Sequence, residues 1–295
     1  MPPQKIAFII NPVSGNKSKD DYPALITQYL DAKRFDAKIV FTEYQHHGSE
    51  LAAGFVHANY DIVVAVGGDG TVNEVARSLR HTKTALGIIP AGSGNGLARH
   101  LKIPMNVKKA IQQLNASEAI YMDYGMVNEH PFFCTCGTGF DAYVSIEFAK
   151  GQRRGMLTYV EKVVKGYFNY KPQTYRLKAD DMDMEVKAFL ITFANASQWG
   201  NNAYIAPKAS VQDGLMDISI LGKLPFISIP SIALQLFTKT IDKDFLMTSL
   251  RKSSVSLYRD APGPFHFDGE PYEEGKEIHI KIVPDGIKVL VAKRF

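Results

Sequence analysis

Short apolar runs alternate with amphipathic stretches through the first third of the chain. Ile6–Ile10, Ala37–Phe41, Ile62–Val66 and Leu86–Ile89 are strand-length and rich in β-branched residues. Tyr22–Leu30, Ser49–His57 and Val72–Leu79 lie between them with helical spacing. A further helix at Val107–Leu114 carries Val107, Ala110, Ile111 and Leu114 on one face. Strand alternating with helix predicts a doubly wound parallel sheet. After Asp123 the pattern becomes extended segments with turn punctuation: Met122–Val127, Phe132–Cys136, Thr174–Ala179 and Glu185–Ala194. These predict a mainly antiparallel β domain, with Lys178–Asp183 as a hairpin tip. Two helices interrupt it, Asp141–Lys150 and Met156–Phe168, the second with Leu157, Val160, Val164 and Phe168 on one side.

At 295 residues and 45% hydrophobic composition the chain has apolar material for two domains. A net charge of +4 is too small for a dedicated nucleic-acid binder, yet suits an anionic substrate or membrane surface. Its two cysteines, Cys134 and Cys136, sit at alternate positions of one strand, a poor disulfide and an incomplete metal site. They read as buried core residues of a protein in a reducing cytoplasm. The apolar run Ile6–Ile10 is too short for a signal peptide and reads as a first strand. Leu224–Phe237, interrupted by Pro225 and Pro230, falls short of the ~20 apolar residues that span a bilayer.

The strongest local signal is Asp61–Glu74, an apolar strand running into Gly67-Gly68-Asp69-Gly70 and then a helix opening on Thr71-x-x-Glu74, which reads as a capping box. Helix N-termini present N–H groups and positive dipole ends, and glycines let a phosphate approach the backbone. A carboxylate there is electrostatically out of place without a cation, so Asp69 is a candidate to position magnesium or a reacting hydroxyl. The other reading of the isolated segment is a tight strand-to-helix turn with Asp69 in a turn or capping role. Two more polar, glycine-containing loops follow strands of the same sheet: Asn11–Gly15 after the first and Pro90–Gly96 after the fourth. Ligands of open α/β sheets bind beyond the carboxyl ends of strands, so three such loops point to one phosphorylated ligand. Neither the P-loop nor the dinucleotide-binding fingerprint is present.

These residues, with Gly139-Phe140-Asp141-Ala142, Ala206–Asp217 and Asp268-Gly269-Glu270-Pro271, resemble in order the diacylglycerol kinase catalytic-domain family over nearly the whole chain. The resemblance implies an α/β nucleotide-binding domain similar to NAD kinases and phosphofructokinases, residues 1–124 with 284–295. It is followed by a lipid-substrate β-sandwich, residues 125–283, with the active site in the cleft between. ATP contacts are implied at Asn11, Gly15, Thr42, Gly67, Gly68, Asp69, Gly70, Thr71 and Ser93. A structural Mg2+ is implied at Ser210, Asp213 and the backbone of Leu215. Gly92-Ser93-Gly94-Asn95-Gly96 looks more like sphingosine and ceramide kinases than like most bacterial diacylglycerol kinases, and Gln198–Asn202 replaces the usual glycine run. The lipid, diacylglycerol or a sphingoid base, stays open.

Phosphoryl transfer to a hydroxyl needs magnesium and a residue that orients or deprotonates the nucleophile. Glu270 is the preferred general base with Asp69 organising magnesium; the reverse assignment stays open, and without the resemblance Asp268–Pro271 would read as a surface turn. His46 and His47 read as solvated loop residues, and Trp199 and Tyr204 as core as easily as cleft. Lys150, Arg153, Arg154, Lys162 and Lys165 form a basic cluster that is either a solvated face or a membrane-docking one. The rivals are an NAD or sugar kinase, which lacks the Asn11-Pro12 and Asp268–Glu270 motifs, and a non-catalytic lipid-binding regulator, which has no need of both carboxylates. The expected setting is cytoplasmic, peripherally membrane-associated on a lipid substrate and without nucleic acid; a homodimer is left open.

Overall fold

The structure, a computed structural model, describes residues 2–15, 18–149 and 166–293. The chain divides into two compact units, Met1–Tyr124 with Pro284–Phe295, and Gly125–Val283.

In the first unit β1 (Gln4–Ile10), β2 (Phe35–Phe41), β3 (Ile62–Gly67) and β4 (Ala85–Pro90) form a parallel sheet in the order β2-β1-β3-β4. β3 and β4 are buried at every position, as expected of parallel strands covered on both faces. Helices α1 (Tyr22–Tyr29), α2 (His47–His57), α3 (Asp69–Leu79), α4 (Gly96–His100) and α5 (Val107–Leu114) follow the strands. The chain leaves this unit along β5 (Ser117–Val127) and returns at the end of the molecule, where Val289 pairs in parallel with Leu86. The Asp285 N–H donates to Asp123 at 2.8 Å, and the His81 N–H to the Gly286 carbonyl at 2.8 Å.

The second unit is a sandwich of two sheets. β8 (Gln173–Ala179), β9 (Met182–Ala188), β13 (Ser254–Tyr258) and the first half of β16 (Glu277–Ala292) make one, in the order β16-β13-β8-β9, with the β5–β6 (His130–Phe132) hairpin beside it. The other runs β12 (Met247–Lys252), β11 (Met216–Leu221), β10 (Leu190–Ala194), β7 (Thr135–Gly139), β14 (Gly263–Phe267), β15 (Glu270–Glu274), each pair antiparallel. Phe132, Cys136, Tyr175, Phe193, Ile218 and Phe265 are among the side chains buried between them. Both cysteines are buried free thiols.

Several sequence expectations change in detail. Phe132–Cys136 and Glu185–Ala194 are not single strands: in each the chain passes from one sheet to the other, leaving β6 for β7 and β9 for β10. A segment apolar on alternate faces of two different sheets looks continuous in one dimension. The capping box is absent, since α3 has Gly68 as its N-cap and no side-chain cap. Glu74 instead accepts the His46 and Gly48 N–H groups, at 3.1 and 3.2 Å, at the start of α2. Asp141–Lys150 appears as α6 (Phe140–Ala149). Met156–Phe168 and the basic cluster from Lys150 to Lys165 lie outside the described residues, except for a helical turn at 166–169. The stretch interrupted by prolines contains an unpredicted helix, α7 (Ile229–Thr238), with Pro230 in its first turn, where no intrahelical N–H is lost. Among the described residues no helix is long and apolar enough to cross a membrane.

One carboxylate ties the sandwich corner together. Asp268 is buried and accepts three backbone N–H groups, from Phe133 at 2.9 Å, Cys134 at 2.8 Å and Thr135 at 3.1 Å. Asp268→Asn keeps the shape but turns an N–H group toward donors. The expected cost is about 1–3 kcal/mol, read as a drop of several degrees in the thermal midpoint. An unchanged midpoint would remove this anchor from the account.

Candidate functional site

The carboxyl ends of β1, β3 and β4 bring the three glycine-containing loops into contact within the first unit. A Cβ on Gly92 would lie 2.4 Å from the Gly68 Cα, and one on Gly15, whose φ is +62°, would lie 2.4 Å from the Ala91 carbonyl oxygen. Glycine is therefore required at both positions so that the loops can approach one another. Hydrogen bonds complete the join: the Asn11 side-chain amide donates to Thr71 Oγ1 at 3.0 Å, and the Ala91 N–H to the Gly67 carbonyl at 2.7 Å. Thr42 is next to them, its N–H on the Ile10 carbonyl at 2.9 Å.

Asp69 locks this arrangement. The Asn95 N–H donates to its Oδ2 at 2.8 Å and the Gly96 N–H to its Oδ1 at 2.7 Å. Asn95 adopts φ 54° and closes the Pro90–Gly96 loop on itself, accepting the Gly92 N–H at 3.1 Å and donating to the Gly92 carbonyl at 2.9 Å. Ser93, at the crest of that loop, is exposed. α3 starts at Asp69 with no side-chain cap, so its dipole is aimed at the space these loops border.

A cation that sequence reasoning missed stands under the first loop. Lys19 is 2% exposed and donates from Nζ to the Ser14 carbonyl, and burial lowers its pKa. Nothing in the spacing of Asn16-Lys17-Ser18-Lys19 distinguishes it from a surface lysine. Asn11, Gly15, Thr42, Gly67, Gly68, Asp69, Gly70, Thr71 and Ser93 all belong to the first unit, whereas Ser210, Asp213, Leu215 and Glu270 belong to the second.

In the second unit Asp268 and Gly269 form a two-residue hairpin turn with φ of 48° and 86°, the positive pair a type I′ turn demands. Glu270, the first residue of β15, is exposed at its end, while Asp268 is given over to the backbone. A further pair was not foreseen: Nε2 of the buried His266 and Oδ2 of the partly buried Asp141 are 2.9 Å apart. A pocket of about 330 Å³ opens nearby, lined by Thr138, Gly139, Tyr143, Tyr170, Lys171 and Pro264 among others.

The implied magnesium loop holds a cation of the chain's own. Asp213 Oδ2 is paired with Arg251 Nη2, and its Oδ1 accepts the Leu215 N–H at 3.1 Å. Ser210 Oγ accepts the Gln212 N–H at 3.3 Å. Arg251 stands opposite Asp217 across the β11–β12 pair, with Nε 3.6 Å from the Asp217 carboxylate. Burial pushes Asp217 up to about 6, against the pull of Arg251. As placed, these side chains fit a guanidinium, and a hard dication requires Arg251 to withdraw. No group of three or more His, Cys, Asp or Glu suited to a metal occurs among the described residues.

Residues 5–127 match the diacylglycerol kinase catalytic domain, and residues 134–291 match the YegS C-terminal NAD kinase beta sandwich-like domain. The chain belongs to the diacylglycerol kinase catalytic-domain family. Proteins named "Probable lipid kinase YegS-like" from Yersinia pestis (strain Pestoides F) and Yersinia pseudotuberculosis serotype O:1b (strain IP 31758) are each 28% identical over 234 residues, 77% of this chain and 77% of theirs. The crystal structure of a diacylglycerol kinase from Bacillus anthracis str. Sterne superposes with a TM-score of 0.74 at 18% identity, covering 98% of this chain and 97% of that one. Another structure from that organism gives a TM-score of 0.78 at 20% identity, covering 98% of each chain. These likenesses establish the fold, a parallel α/β domain followed by an antiparallel sandwich. The family is one of lipid kinases.

Two outcomes are expected of this site. Burial, with the charge of Lys102 second, lowers His100 from 6.5 to about 4 at the end of α4. A histidine lowered in this way contributes stability that is complete above its unfolded pKa and is lost as pH falls toward the folded value. The melting temperature should therefore fall from pH 6.5 to 4, and His100→Gln should fall less over the same window; identical slopes would exclude His100 as a cause. For the second loop, Arg251→Ala should make the melting temperature rise more with magnesium than it does in the unsubstituted protein. An equal or larger rise with Arg251 present would show that the ion binds beside it.

Proposed function

We propose that this protein is an ATP-dependent lipid kinase that transfers the γ-phosphate to the hydroxyl of diacylglycerol or a sphingoid base. The observation that carries the reading is the locked junction of Asn11–Gly15, Gly67–Thr71 and Pro90–Gly96 at the start of α3. Uncapped N–H groups beside rigid loops suit a polyphosphate, and Lys19 beneath adds positive charge without entering the space above. ATP supplies the phosphoryl group, and the Mg2+ that accompanies it neutralises the triphosphate.

In this reading Asn11, Gly15, Thr42, Gly67, Gly68, Gly70, Thr71 and Ser93 hold the nucleotide, and Asp69 keeps the β4–α4 loop closed around it. Glu270 accepts the proton of the lipid hydroxyl. It is exposed at the end of a tight hairpin, whereas Asp268 is buried and accepts three backbone N–H groups. Ser210, Asp213 and the Leu215 backbone are the place for a structural Mg2+ once Arg251 moves aside. The protein works in the cytoplasm, touching the membrane from one side, where its substrate resides.

Incubation with radiolabelled ATP and a panel of diacylglycerol, dihydrosphingosine, NAD and hexose phosphates tests the class of acceptor. Label in a lipid is expected; label only in NAD or sugar, or in nothing, sinks the reading. Within the lipid reading, Glu270→Gln should lower turnover by ~10²–10⁴ with ATP affinity nearly unchanged, while Asp69→Asn should weaken both. An Asp69→Asn protein that binds ATP normally but is inactive, beside a largely active Glu270→Gln protein, would reverse the two roles.

A further inference from the structure

From Leu224 to Thr238 the chain carries no charged residue. A 3₁₀ turn, Phe226–Ser228, leads directly into α7. One side of this segment completes the sandwich unit: Ile232 is buried, and Leu224 and Leu236 pack on the cluster around Phe140, Phe189 and Ile241. The opposite side is apolar as well. Phe226, Ile227, Leu234 and Phe237 are 60%, 89%, 64% and 58% exposed, and Phe168, 68% exposed, meets Phe226 with ring centroids 5.5 Å apart. At 100° per residue Phe226, Ile227, Pro230, Leu234 and Phe237 fall on one face. A surface helix of a soluble domain has one apolar stripe; this one has two, back to back.

The charges around the stripe indicate what covers it. Lys223 and Lys239 bracket it, both exposed, and Lys171 and Lys243 are exposed in the same unit. The nearby acids are engaged: Asp242 with Lys208 at 2.7 Å, and Asp244 with Gln235 at 2.6 Å and the Leu246 N–H at 2.9 Å. The exposed face is built of phenylalanine, isoleucine and leucine, with exposed Ser231 and Thr238 at its margins. Apolar side chains inserted at the headgroup boundary, with lysines at the ends reaching anionic phosphates, meet the chemistry of an interfacial helix.

We propose that Phe226–Phe237, with Phe168, is the surface by which the protein docks on an anionic lipid bilayer. The inference rests on the lipid-kinase reading for its biological sense but not for its test. The site of contact differs from the Lys150–Lys165 basic cluster suggested by sequence.

The test uses the full chain and extruded vesicles of phosphatidylcholine, with or without phosphatidylglycerol, in a flotation assay. The protein should float with the anionic vesicles and be released by salt. Leu234→Glu with Phe237→Glu, two positions more than half exposed, should lower the bound fraction at least ~10-fold while the melting curve is retained. Lys223→Glu with Lys239→Glu should abolish the preference for phosphatidylglycerol. Turnover of a short-chain diacylglycerol dissolved as monomers should be the same in the Leu234/Phe237 variant as in the parent, and turnover on vesicles should drop. Parent protein that does not float, or a variant that floats equally well, overturns the proposal. So does a parent that sediments as a dimer and a variant that sediments as a monomer, since the face is then an interface between two copies. Patch-dependent flotation without any lipid phosphorylation upholds docking and refutes the kinase reading. Lipid phosphorylation without patch-dependent flotation does the reverse.

Discussion

Two backbone N–H groups, those of Asn95 and Gly96, end on the carboxylate of Asp69, and the candidate nucleotide site depends on that pair of bonds. The groups belong to a loop that follows β4, whereas Asp69 starts the helix that follows β3. Without them the β4–α4 loop would have unpaired amides at its most confined point, close to the Gly68–Gly92 contact. A buried N–H without an acceptor costs about 1–3 kcal/mol, so the bond to Asp69 is a condition of the loop's shape. The loop in turn sets where Ser93 stands and how closely Ala91 can approach Gly15.

The sandwich unit solves the same problem with the same chemistry. Its chain must pass from one sheet to the other between Phe132 and Thr135, where neither ladder can supply acceptors. Asp268 supplies them, three at once, from a hairpin whose two turn residues both have positive φ. In each unit a carboxylate of a family motif thus accepts backbone N–H groups. Motif carboxylates suggest acid–base chemistry when read in a sequence, yet of the three considered only Glu270 stands exposed at the end of a strand. The Arg251–Asp213 pair applies the converse logic at the loop after Ser210, where an arginine side chain provides the positive charge.

Charge placement also separates the two kinds of surface. Around Asn11, Gly68 and Ser93 the polar groups are backbone N–H donors and a lysine held beneath the loop, which suits a compact anion. Around α7 they are lysines at the ends of an uncharged stripe, which suits an extended anionic plane. A lipid kinase has need of both, and the inner face of α7 anchors the outer one to the sandwich through Ile232.

The first four strands and their helices were legible because parallel strands buried on both faces read as uninterrupted apolar runs, and helices between them must repeat near every 3.6 residues. The three glycine loops were legible too, since a short strand-to-helix connection in this order can only emerge on one edge of the sheet. The partners of the carboxylates were not. Asp69 meets residues 26 and 27 positions away, and Asp268 meets residues 133 to 135 positions away, so no local spacing records them. Arg251 reads as an ordinary surface residue until the β11–β12 register puts it across from Asp217. The same holds for Leu224–Thr238: its composition is apolar and interrupted by prolines in any reading, but only packing decides which side is covered by the sandwich and which is left to solvent. Local sequence determined the elements and their chemistry, and long-range pairing decided which partners the motif carboxylates and the arginine meet.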